Sequence, residues 1–320
     1  MFSLSPNARG RVGRLAVLAV AAVVAVSGCA SREQASTEKP PADSSFPVTL
    51  TPAEGDPITL DARPERIVSL SASNTEILYA VGAGRQVVAV DEQSDYPDSA
   101  PKTELSGLTP NVEAIADYDP DLVVISDDIE GLTKSLTELG HPVLTVPAAA
   151  TLDDVYAGIE LVGKATGHAE EAATLAKHTK ADLKKIVADT PKSKQPLTYY
   201  HELDTELYSA TSTTFIGQIY GLFGLTNIAD PADKDQGGYP KLSAEHILAS
   251  DPDLIFLADV QCCGQNAKTV GERAGWSNLT AVREGNVVEL DDDLASRWGP
   301  RVVGLARDIS TAVTKAGGVN

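Results

Sequence analysis

The sequence predicts an α/β protein of two similar lobes with parallel-rich sheets, joined by a single long rigid helix. Three observations predict it. The stretch "VEAIADYDPDLVVISDD" at 112–128 is echoed by "AEHILASDPDLIFLADV" at 244–260 at a constant offset of 132 residues. Short apolar runs alternate with helical patterns on both sides of that repeat. Between the two halves lies one uninterrupted amphipathic segment, bounded by Gly167 and Pro191.

Under the 132-residue offset Glu113 meets Glu245 and Ile115 meets Ile247. Asp119-Pro120-Asp121-Leu122 meets Asp251-Pro252-Asp253-Leu254, and Asp127 meets Asp259. Each copy is a helix, a proline turn and a four-residue apolar strand with acid at its end, the pattern of a strand in a covered parallel sheet. Around the first copy strands are expected at 67–70, 87–90, 122–125 and 143–146; around the second, at 197–200, 226–229, 254–257 and 287–290.

The segment between the halves places Leu175, Thr179, Leu183, Ile186 and Val187 on one face. As a helix over 168–189 it spans roughly 33 Å at about 1.5 Å per residue. No Gly, Ser and Pro run interrupts it, so relative motion of the lobes is expected to be small.

Residues 1–28 stand apart. Arg9, Arg11 and Arg14 precede an uncharged apolar run from 15 to 26, the layout of an export signal, which ends in "VSGC". Small residues leading into Cys29 make the bacterial lipobox pattern and predict cleavage before Cys29, with lipid attached to its thiol. Residues 29–47 are then the lipidated cysteine and a flexible tether. The remaining organisation reads as a first lobe at 48–150, a connecting helical segment at 151–190 and a second lobe at 191–320. Removing residues 1–28 takes away three Arg and no acids, so Lys plus Arg falls from 26 to 23 and the formal charge from −19 to −22. A body this acidic is a poor nucleic-acid binder.

In "RIVSLSASNTEILYAVGAG" at 66–84 the turn after the strand lacks glycine, whereas a phosphate loop needs glycines before the helix so that backbone N–H groups can approach the phosphates. Ser73 and Glu76 have capping-box spacing, which starts the helix just after Ser73.

The stretches "RPERIVSLSASNTEILYAVGAGRQVVAVDEQSDYP", "DPDLVVIS", "GGYPKLSAEHILASDPDLIFL", "GWSNLTAVREGNVVELD" and "SRWGPR" resemble the substrate-binding lipoproteins of ABC importers for cobalamin, ferric siderophores and haem, a family with a helical backbone between its lobes. The resemblance covers nearly all of residues 63–315. It implies a helical-backbone periplasmic binding protein fold, a lipid-anchored monomer on the outer face of the cell membrane, and an ABC permease with its ATPase as partners. It implies no cofactor beyond the ligand itself, a cobalt- or iron-containing chelate. By the same resemblance the opening loop and "SDYP" line the ligand cleft, and the glutamate of "TEIL", Glu76, docks onto permease arginines. The chain departs from the pattern twice: the matching glutamate of the second lobe falls on Gly221, and the tryptophan that cobalamin binders use after the third strand falls on Ser126.

A ligand between the lobes meets the C-terminal ends of the parallel strands. The candidate contacts there are Ser71, Ser73, Tyr96, Asp127, Tyr200, His201, Tyr239, Arg297 and Trp298. The aromatic members suit flat contact with a corrin, porphyrin or chelate. The many acids of these loops disfavour a trianionic ferric catecholate or citrate, leaving cobalamin and neutral or cationic ferric hydroxamates, with a lean to cobalamin. Of the five histidines only His201 falls at a strand end, so no bare-metal site is expected, and a haem receptor is the alternative reading. Cys262 and Cys263 are free for a vicinal disulfide. Adjacent Cα atoms sit about 3.8 Å apart, below the usual span of about 4.4 to 6.8 Å, so such a ring is expected to be strained. No G-x-S-x-G elbow or His-Glu helix motif supports an enzyme. A surface adhesin or scaffold would not need two copies of one lobe.

Overall fold

A computed structural model describes residues 45–318. The export signal, Cys29 and the tether up to residue 44 lie outside the described residues. The described chain opens on a feature the sequence did not reveal, a hairpin of β1 (Val48–Leu50) and β2 (Ile58–Leu60), paired antiparallel. Phe46, within the expected tether, already packs against the first lobe's core.

The first lobe then runs β3 (Ile67–Ser69), α1 (Ala72–Ala80), β4 (Val87–Val90), α2 (Val112–Ala116), β5 (Leu122–Ile125), α3 (Leu132–Glu138) and β6 (Val143–Thr145). Its sheet has the order β4-β3-β5-β6, parallel throughout. After α4 (Leu152–Thr166) and α5 (Ala169–Asp189) the second lobe runs β7 (Thr198–Glu202), α6 (Phe215–Gly221), β8 (Thr226–Asn227), α7 (Ala244–Ser250), β9 (Leu254–Leu257), α8 (Val260–Cys263), α9 (Ala267–Gly271), α10 (Thr280–Arg283), β10 (Val287–Glu289), α11 (Asp292–Ser296) and α12 (Val302–Ala316). Its sheet has the order β10-β9-β7-β8, again parallel. Counted from each lobe's first strand, the order is second, first, third, fourth in both.

The repeated Asp-Pro-Asp-Leu shows why the two halves share those letters. Asp119 and Asp251 both take positive φ, 46° and 41°, at the turn out of the preceding helix. The next aspartate pins the start of the lobe's first strand: Asp121 accepts the backbone N–H groups of Glu65 and Arg66 at 2.7 and 2.9 Å. Asp253 accepts the N–H and hydroxyl of Thr198 at 2.8 and 3.0 Å. Leu122 and Leu254 then enter strands buried at every residue, covered on both faces.

The connector is a helical pair. Gly167 caps α4 in the left-handed conformation (φ 75°), and His168 begins α5. The two helices pack closely enough that a Cβ on Gly163 would meet the Ala172 Cβ at 2.2 Å, so only glycine fits there. The α5 helix contributes Ala172 and Ala176 to the first lobe's core and Leu183 to the second's, while Tyr156 of α4 packs against both. The expected single strut is therefore a braced one, with side chains committed to each core.

Candidate functional site

The first-lobe wall of the site begins where β3 ends. The α1 helix starts two residues earlier than the sequence indicates, with Ser71 in extended backbone as its N-cap and no side-chain cap bond. The capping box of Ser73 and Glu76 therefore does not form. Ser73 lies inside the helix and its hydroxyl accepts the Trp298 N–H at 3.2 Å, from the other lobe.

Glu76 likewise turns toward the second lobe. Its carboxylate accepts from Arg297 Nη1 at 2.9 Å and from Arg301 Nε and Nη2 at 2.8 and 2.5 Å. The same Arg297 reaches the Gln93 carbonyl at 2.9 Å, Asp95 at 2.8 Å and Asp293 at 2.7 Å, and the Arg301 guanidinium lies 4.0 Å from the Tyr96 ring centroid. Three acids and two arginines from both lobes thus form one clasp, in which planar guanidinium groups meet carboxylates through paired N–H donors. Burial pushes the Asp95 carboxyl up, yet the hydrogen bond and charge of Arg297 win and hold it below its usual range. Burial raises Asp293.

This geometry corrects the role expected of Glu76. Docking onto a permease requires an exposed carboxylate, and Glu76 is 2 % exposed with both oxygens engaged. Gly221, the aligned position in the second lobe, is exposed, and a Cβ there would meet nothing within 4 Å.

Of the expected ligand contacts, Ser73, Arg297 and Trp298 gather at the clasp with Tyr96, which is 45 % exposed, while Ser71 stays at the N-cap of α1. Trp298 packs against the first lobe's core, so it joins the lobes instead of lining open space. Asp127 is exposed and accepts the Ser126 hydroxyl at 3.0 Å.

Tyr200 and His201 do not reach the mouth. The β7 strand extends to Glu202, two residues beyond the expected end, in a sheet covered on both faces. Tyr200 packs edge-on to Trp276, and His201 Nδ1 lies 2.9 Å from the Tyr220 hydroxyl. Burial alone lowers the His201 pKa to about 4. Both side chains are core residues.

While Leu139 and Leu222 sit at helix ends, four of the exposed large apolar groups among the described residues lie on segments that follow strands. In the first lobe these are Tyr96 and Leu108, the latter 73 % exposed and not foreseen from sequence. In the second lobe Tyr208 and the 53 % exposed Tyr239 lie on chains that run side by side, joined by Ser209 N–H to Pro240 O at 3.0 Å and Thr211 N–H to Gly238 O at 2.8 Å. Glu92, Asp127, Asp128 and Glu206 are exposed on the same set of segments, and Asp204 is half-buried. Cys262 and Cys263 are bridged, their Cα atoms 3.8 Å apart, on the exposed α8 turn. Among the described residues no group of three or more His, Cys, Asp or Glu is arranged to hold a metal ion. No described helix is long and apolar enough to cross a membrane.

The sequence profile of the periplasmic binding protein family matches residues 67–294. An uncharacterised ABC transporter substrate-binding lipoprotein of Bacillus subtilis, YvrC, is 33% identical over 298 residues, covering 90% of this chain and 92% of that one. A cobalamin-binding protein of Halobacterium salinarum is 33% identical over 269 residues, covering 81% and 72%. Among solved structures, the periplasmic vitamin B12 binding protein BtuF of Vibrio cholerae superposes with a TM-score of 0.66 at 28% identity, covering 79% of this chain and 98% of that one. Matching lobes, a helical connector and a family profile spanning most of the sequence lead to one assignment: the chain belongs to the periplasmic binding protein family.

Proposed function

We propose that this protein is a lipid-anchored, extracytoplasmic receptor that captures a metal chelate, cobalamin before ferric hydroxamate, and hands it to an ABC permease without chemical change. The observation that carries this reading is the exposure of aromatic and apolar groups on segments that follow strands in both lobes, Tyr96 and Leu108 in the first, Tyr208 and Tyr239 in the second. Flat, partly apolar ligands gain most from such groups. The relatives named for cobalamin and vitamin B12 support the same class. Burial of Tyr200 and His201 in the core counts against haem held by that pair.

Calorimetric titration of residues 30–320 with cobalamin and with ferrioxamine, side by side, tests the ligand. Cobalamin binding alone supports the first choice. Ferrioxamine alone transfers the assignment to hydroxamates, and silence from both removes the chelate reading.

With Glu76 occupied, docking falls to acids that stay in solvent. Glu113 and Glu245 are exposed, occupy the first turns of α2 and α7 after the N-caps Asn111 and Ser243, and are related by the 132-residue repeat. They offer matched negative charges, one per lobe, to basic groups on the permease. The double variant Glu113→Lys, Glu245→Lys should bind ligand unchanged in solution and lose uptake in cells; full uptake would remove these residues from docking.

A further inference from the structure

The second lobe contains a pair of carboxyl groups that ligand capture does not use. Glu202 is the last residue of β7, and Asp259 follows β9, the neighbouring strand, in which Leu257 is the register partner of Glu202. Both side chains are fully buried. Arg273 holds Glu202 through two hydrogen bonds of 2.6 Å, is itself fixed by the Gln265 side-chain oxygen at 2.7 Å, and lies 4.6 Å from the Trp276 ring centroid.

Asp259 has no such support. Neither of its oxygens meets a donor in hydrogen-bond geometry, and the buried Tyr200 hydroxyl faces the same carboxyl pair from beside Glu202. The charged and titratable groups around Asp259 are Glu202 and Tyr200 from β7 and Arg273 from the segment after α9. Two carboxylates against one guanidinium leave an excess negative charge out of water, which is costly. A single proton removes the excess: the protonated Asp259 carboxyl becomes a donor, and the acceptor it faces is Glu202.

We propose that Glu202 and Asp259 form a proton-binding site, holding one proton between them, and that loss of this proton releases the disulfide-bridged turn α8, which Asp259 opens. Burial, and then the charge of Glu202, push the Asp259 carboxyl up to about 7, so the transition lies close to neutral pH. The pair titrates as a unit.

The turn is built to respond. Asp259 immediately precedes α8, a four-residue turn closed by Gly264 in the left-handed conformation. Residues 261–263 are exposed on its outer side. It is tied down by Asp292 of α11, which accepts the N–H groups of Val260, Gln261 and Cys262 at 2.9, 3.0 and 2.9 Å. An ionised Asp259 is hydrated most directly when its own turn lifts, and the disulfide makes residues 262 and 263 move together.

The test compares hydrogen exchange of residues 259–265 in the full mature protein and in Asp259→Asn, at matched pH, so that intrinsic exchange chemistry cancels. The amide of the variant donates to Glu202 as the protonated acid does and cannot ionise. The ratio of wild-type to variant exchange should be near one at about pH 5.5 and rise several-fold by about pH 8.5; a flat ratio overturns the proposal. A second readout needs no variant. The infrared difference spectrum of the unaltered protein should show a protonated, buried carboxyl band that disappears with a midpoint near pH 7. Absence of that band at low pH would equally overturn it.

Discussion

The two lobes repeat one another in strand order and in the aspartates that start their first strands, yet the same repeat position has opposite surroundings in each. Asp127 after β5 is exposed and bonded to Ser126, while its counterpart Asp259 after β9 is fully buried at the N-terminus of α8. At the ends of β3 and β7 the contrast recurs. The first lobe is fastened there chiefly by amide and hydroxyl groups: Asn74 donates to the Ile125 and Val146 carbonyls at 3.3 and 3.0 Å, and Thr75 lies 2.8 Å from the Ser94 hydroxyl, which bonds the buried Asp91 carboxylate. The second lobe is fastened by ions, Glu202 and Arg273. The scaffold half of each repeat, which must place a strand, has kept its chemistry, and the strand-end half has diverged.

The largest test of that contrast is Glu202→Ala. It strands Arg273 in a half-buried position and removes the acceptor from Asp259, and is expected to cost about 3–5 kcal/mol in urea unfolding. A loss under about 1 kcal/mol would mean that the ionic fastening contributes little net stability.

Next come the shared positions. Asp121→Asn and Asp253→Asn each weaken charge-assisted bonds at a strand start and should cost about 1–3 kcal/mol apiece. Near-equal losses would confirm one role in both lobes, and a loss in one alone would break the equivalence.

The two strand-end aspartates differ in how stability follows pH. Because the folded-state pKa of Asp259 is raised, its contribution to stability is complete below about pH 4 and is lost as pH rises to about 7. Asp259→Asn should remove that slope, so wild type loses ground to the variant between those limits in thermal scans. Asp127→Asn, on the surface, should shift stability by less than about 0.5 kcal/mol at any pH.

Much of the scaffold was legible because covered parallel strands are uninterrupted apolar runs between turn residues. Leu122–Ile125 and Leu254–Leu257 sit where the sequence placed them. The β1–β2 hairpin escaped because three-residue strands carry too little periodicity to register. The end of β7 was missed because Tyr200, His201 and Glu202 read as loop chemistry, and only Tyr220 and Arg273, distant in sequence, make their burial tolerable. Glu76 failed for the same reason: its partner Arg297 is 221 residues away, and the local pattern matched a capping box. Periodicity reports which face of an element is apolar, whereas the pairing of buried charges is a property of the assembled chain.

The braced connector has a mechanical consequence. Backbone hydrogen bonding runs without a break through α5 from Ala169 to Asp189, and Tyr156 is wedged against both cores, so no residue within α5 is free to act as a pivot. Under the proposed function, such a connector would make the receptor a calliper of nearly fixed gauge, selecting cargo by thickness and outline. A transporter would then have little change in lobe angle to sense, and would read occupancy from the cargo itself or from the small turns beside it.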